Sequence, residues 1–313
     1  MKNKLIASLS LFAVMGLASA ITCGAAETDL TFALIPKTLN NPFFVAMADR
    51  AQAKADELGV SLEVIAPPSE SDIEEQINMF ENMLEKGVDG IMVVPNGTSE
   101  IVSSIEKANE MEIPIVCLDT TAEGGELLTF IGTDNYGGGE MAAEWVGDNL
   151  EAGEIAVITG TPGNKTQEDR IKGFSDKIAE YEGFSIIGDA IPSYSDRAQA
   201  MTAAENLITA NPDLKIIYCV NDEIGLGVSE ALEANGKTGE IAIVGFDGAP
   251  EAAQAIIDGK ITATLAQEPG TMGEMGVEAL YEYLVNEVQP EDYTATGCSV
   301  ASTENAEDYL EWH

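Results

Sequence analysis

Short, β-branched apolar runs recur along the whole chain, at 30–35, 61–66, 90–94, 113–118, 127–131, 155–159, 184–187, 215–220, 241–245 and 261–266. Several, such as 113–118 and 215–220, are apolar almost throughout rather than alternating, the pattern of strands covered on both faces. Between the runs the spacing changes to three and four. Phe44, Met47, Ala51, Ala55 and Leu58 share one helical face before Gly59. Ile73, Ile77, Phe80 and Leu84 do the same before Gly87, glycine being a common helix stop. Strand–helix alternation builds parallel sheets from right-handed βαβ units. Ten strands are more than one compact half usually holds. The pattern therefore predicts an α/β fold of two Rossmann-like lobes, each a doubly wound parallel sheet. No low-complexity linker parts them, and the boundary near Asp134-Asn135 lies inside the pattern, so tight chain crossings are expected rather than a tether.

The first residues break this rhythm. Lys2 and Lys4 precede an apolar run, 5–17, closed by the small residues Ala18-Ser19-Ala20. A charged start, a short apolar core and a small-residue cleavage site form a secretory leader. The run is shorter than the ~20 residues of a membrane-spanning helix, and no later segment reaches that length. Residues 1–22 are read as a signal peptide, and the exported chain is expected in the periplasm or on the outer face of the cell membrane. Cys23, followed by Gly24-Ala25-Ala26, is a candidate for lipidation. Ile21 and Thr22 fit poorly the small residues that usually precede such a cysteine, so anchored and free forms both stay open.

Composition narrows the chemistry. The 313 residues are 45% apolar and 22% charged, a globular composition with length for two domains. Fifteen Lys+Arg against 54 Asp+Glu give a net charge of −39, a field that repels nucleic-acid backbones, so no nucleic-acid partner is expected. The one histidine, His313, is the last residue. That removes Ser-His-Asp catalysis, Cys-His catalysis and His-ligated zinc. Cys117 and Cys219 lie inside apolar runs and read as buried small hydrophobes rather than a disulfide. Gly160-Thr-Pro-Gly-Asn-Lys-Thr166 has Asn164 where a phosphate loop needs glycine, and Gly137-Gly138-Gly139 lacks the G-x-G-x-x-G order. No D-x-D-x-D-G loop is present either. No cofactor is expected and no metal-ligating residues are assigned, which leaves calcium binding open.

Ligands of open α/β sheets bind beyond the carboxyl ends of the strands. Those ends carry Lys37 and Asn40-Asn41-Pro42-Phe43-Phe44 after the first run, then Asp119, then Asn221-Asp222-Glu223. Asp247 and Gln267 follow the last two runs. Carboxylates and amides can engage neighbouring hydroxyls, and an aromatic face covers the C–H side of a sugar ring. A neutral polyhydroxyl ligand suits this set. Bland roles compete at some positions. Asn41 also fits a helix N-cap ahead of Pro42, and Phe43 and Phe44 fit a core. Asp222 and Glu223 read as caps of the following helix, with no ligand role.

At these residues the chain resembles a known family. Lys37-Thr-Leu-Asn-Asn-Pro-Phe-Phe44, Val116-Cys-Leu-Asp119, Gly132-Thr-Asp-Asn135, Val220-Asn-Asp-Glu223, Val244-Gly-Phe-Asp-Gly248 and Leu265-Ala-Gln267 are similar, in order and spacing, to periplasmic sugar-binding proteins of the ribose/galactose/allose class. Those are the receptor components of ABC importers. The resemblance covers the whole chain after the leader. It implies lobes formed by 29–132 with 268–296 and by 133–267 with 297–313, joined by three hinge crossings, with a pentose or hexose in the cleft. Asn41, Asp119, Arg170, Asn221, Asp247 and Gln267 would then hydrogen-bond sugar hydroxyls. Phe43 and Phe44 would sandwich the ring, with Tyr194 or Ser195 as the opposite wall. Two further site positions depart from the ribose binders, which carry serine where this chain has Lys37 and arginine where it has Thr120. Lysine is closer to allose-type relatives, so the departures point away from ribose itself and leave a monosaccharide. The implied partners are a membrane permease and, as a further candidate, a chemoreceptor. The resemblance also implies a monomer without enzymatic activity.

Other functions fit parts of the pattern. A glycosidase could use Asp119 and Asp247 as an acid/base pair, but nothing in the sequence sets their pKa values apart. Sugar-responsive repressors share the two-lobed core but need an N-terminal helix-turn-helix, where this chain has a leader and the wrong sign of charge. A receptor for a sugar-like signal or polyol in chemotaxis or quorum sensing keeps the fold and changes the output.

Overall fold

A computed structural model describes residues 29–312; the segment 1–22 read as a leader, the lipidation candidate Cys23 and His313 lie outside the described residues. The first half of the chain alternates β1 (Thr31–Ile35), α1 (Pro42–Leu58), β2 (Ser61–Val64), α2 (Ile73–Lys86), β3 (Gly90–Val93), α3 (Val102–Glu110), β4 (Ile115–Leu118) and β5 (Thr129–Thr133). The second half runs through α4 (Asn135–Asn149), β6 (Glu154–Thr159), α5 (Lys165–Ile178), β7 (Ser185–Ile186), β8 (Ile191–Pro192), α6 (Arg197–Ala210) and β9 (Leu214–Cys219). It continues with α7 (Asp222–Ala234), β10 (Ala242–Asp247), α8 (Pro250–Ile257) and β11 (Ala263–Gln267). Then α9 (Pro269–Asn286) and β12 (Tyr293–Thr296) return to the first sheet, and β13 (Cys298–Ser302) to the second.

Two sheets result, ordered β12-β5-β4-β3-β1-β2 and β13-β11-β10-β9-β6-β7, with β8 also on β6. Every pairing is parallel except β13 on β11. All ten runs expected from the sequence form strands. β8, β12 and β13 were not expected; β8 is two residues long, and Tyr-Thr-Ala-Thr and Cys-Ser-Val-Ala-Ser are polar edge strands with no apolar run to announce them. Each sheet is sandwiched between two apolar clusters; in the first, Phe32, Leu34 and Met92 face α1 and α9, while Ile35, Ile91 and Cys117 face α2 and α3. Cys117 and Cys219 are buried free thiols. No described helix is long and apolar enough to cross a membrane.

The chain passes between the sheets after Thr133, after Gln267 and after Thr296. Beyond β13 a short 3-10 turn, Ala306–Tyr309, leads to Trp312, which packs against apolar clusters of both lobes. Its ring meets Phe43 edge-on, centroids 5.9 Å apart at 82°.

The glycine run in α4 serves packing. A Cβ at Gly139 would collide with the Arg170 carbonyl, and one at Gly173 with the Tyr136 carbonyl, so α4 and α5 cross with backbones in contact. That crossing seats Arg170 at the mouth of the second sheet.

Candidate functional site

Carboxyl ends of both sheets face one another across a buried polar cavity of about 20 Å³. The first lobe supplies Lys37, Asn41, Phe43 and Phe44 from the end of β1 and the start of α1, Glu70 from the loop after β2, and Asp119 from the end of β4. The second supplies Thr166, Gln167 and Arg170 from α5, Asn221 after β9 and Asp247 at the end of β10.

Each lobe contributes a buried aspartate in a conformation that non-glycine residues avoid: Asp119 at φ 58° and Asp247 at φ 125°. Of the six described non-glycine residues with positive φ, four lie at this cleft, the others there being Tyr194 and Ser195. Strain of this kind persists where the surroundings hold a side chain to a task.

Each aspartate has a cation. Lys37 Nζ lies 3.4 Å from Asp119 Oδ2, which also accepts from the Thr120 hydroxyl at 2.9 Å. Arg170 Nη1 lies 3.3 Å from Asp247 Oδ1 and donates to the Val220 carbonyl at 2.8 Å; Arg170 Nε donates to Asn135 Oδ1 at 2.8 Å. The guanidinium stacks over Phe246 at 3.8 Å, so its plane is fixed on all sides. Gln267 Nε2 donates to Asp247 Oδ1 at 2.8 Å, and Gln267 Oε1 is buried with no hydrogen-bond partner. A direct bridge spans the lobes, the Thr120 and Thr166 hydroxyls being 2.8 Å apart.

Burial dominates the acid–base balance. It pushes the Glu70 carboxyl above the usual carboxylate range, against the pull of Lys37 and the Asn41 amide. Asp247 is likewise raised by burial, against Arg170. Asp222 is pushed up to about 7, although Thr264 and the Ala249 and Gly248 amides stabilise its anion. Chemically, the cavity offers carboxylates that accept from hydroxyls and two held cations that donate. Among the described residues no cluster of three His, Cys, Asp or Glu is placed to hold a metal ion.

Of the residues expected from the sequence, Lys37, Asn41, Phe43, Phe44, Asp119, Arg170, Asn221 and Asp247 line the cavity. Gln267 and Thr120 stand one bond behind it, through Asp247 and Asp119. Three expectations need correction. Tyr194 is not a wall of this cavity: it is 45% exposed and lines a neighbouring crevice with Ser195, because both adopt left-handed backbone, φ 57° and 55°. Phe43 and Phe44 do not make a parallel sandwich, since their rings meet at 85°, 5.2 Å apart, and belong to the apolar core as well as to the cavity. Asp222 does not cap α7. Asn221 does, its Oδ1 accepting from Ile224 N at 3.0 Å, while Asp222 accepts from Ala249 N and the Thr264 hydroxyl. Asn41 is an N-cap too, accepting from Phe43 N at 3.0 Å, and lines the cavity at the same time.

Sequence reasoning missed Glu70, Thr166 and Gln167. Glu70 follows a strand, so the strand-end rule reaches it, but an exposed loop acid is the commoner case for Pro-Pro-Ser-Glu. Gln167 accepts from Gly160 N at 3.0 Å and ties down the glycine loop that superficially resembles a phosphate cradle.

Two α/β lobes with a buried, charged, polar cavity between their strand ends, and three chain crossings beside it, define a bilobal solute-binding protein. The chain belongs to the family described as periplasmic binding protein domain, whose profile matches residues 32–287. It is 32% identical over 279 residues to the ribose import binding protein of Escherichia coli (strain K12), covering 89% of this chain and 92% of that protein. It is 35% identical over 260 residues to the D-allose-binding periplasmic protein of the same organism, covering 80% and 83%. Among solved structures, an ABC transporter solute-binding protein from Agrobacterium vitis with bound D-fucose superposes with a TM-score of 0.85 at 30% identity, over 90% of this chain and all of that one (100%).

Proposed function

We propose that this chain is the extracytoplasmic receptor of an ABC importer, which captures a pentose or hexose between its lobes and delivers it to a membrane permease. It acts as a monomer, exported to the periplasm or held at the outer face of the membrane. The closing halves are 29–132 with 268–296 and 133–267 with 297–313. One observation carries the reading: Asp119 from one lobe and Asp247 from the other, both buried at strand ends, face a single cavity. In these roles Asn41, Asp119, Arg170, Asn221 and Asp247 meet ring hydroxyls, Lys37 donates beside Asp119, and Gln267 and Thr120 orient the aspartates. The Phe44 ring covers an apolar patch of the sugar.

The cavity of about 20 Å³ has room for about one water, so a ring enters only if the lobes part. Closing over the sugar then replaces the Lys37–Asp119 contact with bonds to hydroxyls, while Gln267 stays on Asp247. The closed form gains only as much as the sugar's preference for it. Calorimetric titration with D-ribose, D-allose, D-galactose, D-glucose and L-arabinose tests this. Saturable one-to-one heat with at least one is expected; none from any of them contradicts the reading.

A further inference from the structure

Beyond the sugar cavity the cleft does not end. Asn41 and Glu70 line both the inner cavity and an outer crevice of about 230 Å³, more than ten times as large. Both lobes build this crevice: Thr38, Asn40 and Ser69 on one side, Tyr194, Ser195 and Arg197 on the other. Glu70 and Asn41 form the shared boundary of the two spaces, and Ser195 lines the outer one. Ser195 also accepts from Asn221 Nδ2 at 2.9 Å, so this small residue belongs to the network of the inner site while bordering the outer one.

We propose that the crevice is a second subsite, which receives a neutral substituent on the bound sugar, above all a second sugar ring. The protein's ligand class then extends to glycosides and disaccharides. This rests on the sugar-receptor reading.

Two features select that chemistry. Arg197 is the one cation lining the crevice among the described residues, and its charge is taken up by bidentate pairing with both Glu223 and Glu251. Glu70, Asp196 and Glu223 line the same walls, so the crevice is net negative and repels phosphorylated or carboxylated sugars. The second feature is Tyr194. The residue is 45% exposed and stands at the rim in a pair of successive left-handed residues whose backbone is strained without glycine. An exposed ring fixed beside hydroxyl and amide groups is a stacking platform for the C–H face of a sugar.

The test compares each monosaccharide that binds with its methyl glycosides and ring ethers, and with maltose, lactose and melibiose, by calorimetry on the native protein, Tyr194→Ala and Tyr194→Phe. At least one substituted form is expected to bind within about tenfold of its parent. Tyr194→Ala should shift the ratio of substituted to parent affinity about three- to tenfold against the substituted form, and Tyr194→Phe should restore it. Parent sugars that bind while every substituted form is rejected more than about a hundredfold would overturn the subsite alone. So would a ratio indifferent to Tyr194→Ala. Binding of no sugar at all would overturn the receptor reading and the subsite with it.

Discussion

Asp119 sits at the end of β4 with its amide bonded to the Ile131 carbonyl at 2.9 Å and its carboxylate turned onto Lys37. Replacing it by alanine leaves a buried ammonium without its partner and sugar hydroxyls without an acceptor. At about 1–3 kcal/mol for each unsatisfied group, Asp119→Ala should weaken sugar binding roughly 5- to 150-fold, read by titration. A change below twofold would remove Asp119 from the site. Asp222 gives a pH signature. Burial raises its carboxyl from the ordinary range to about 7, so the folded chain holds a proton that the unfolded chain releases. Its contribution to stability is fully present below the ordinary carboxylate value and is lost as pH rises through about 7. The melting temperature should therefore fall between pH 5 and pH 8, and Asp222→Asn should flatten that fall; an equally steep slope in the variant would contradict it. The sequence located the aspartates by the strands before them. It could not disclose positive φ, which comes from tertiary closure around the residue, nor that Glu70 is buried.

At the scale of elements, the strands were legible because both-face burial leaves apolar runs, whereas β12 and β13, edge strands of mixed polarity, left no such mark. The glycines of α4 and α5 were visible as letters but not as a contact. Their meaning lies in a partner helix some thirty residues away, where Gly139 faces the Arg170 backbone. Gly173→Ala should force the two helices apart, at a cost of about 1–3 kcal/mol in urea unfolding. It should also weaken sugar binding, because Arg170 rides on the same turn. Full affinity in a destabilised variant would separate the crossing from the site.

Across the whole molecule, what joins the lobes matters more than what fills them. The three crossings were expected; the Thr120–Thr166 bond and the Trp312 bridge were not, since a threonine pair so far apart in the chain and a tryptophan in an acidic tail carry no periodic signal. Trp312 braces Phe43 from behind, and Phe43 lines the cavity. Trp312→Ala should lower stability by about 0.5–1.5 kcal/mol from the lost ring pair, beyond lost burial, and loosen sugar binding several-fold. Unchanged affinity would show that Phe43 holds its place without the tail. The large negative charge sits mostly at exposed positions, where single ion pairs contribute little to the fold. Charge of this kind bears on solubility and on association with charged molecules rather than on the core.

The sharpest measurement is a crystal structure with the tightest monosaccharide from the titration panel. One ring should lie with oxygens within hydrogen-bonding distance of Asp119 from the first lobe and of Asp247 or Asn221 from the second. A sugar held by one lobe only, or seated away from both aspartates, would contradict the account.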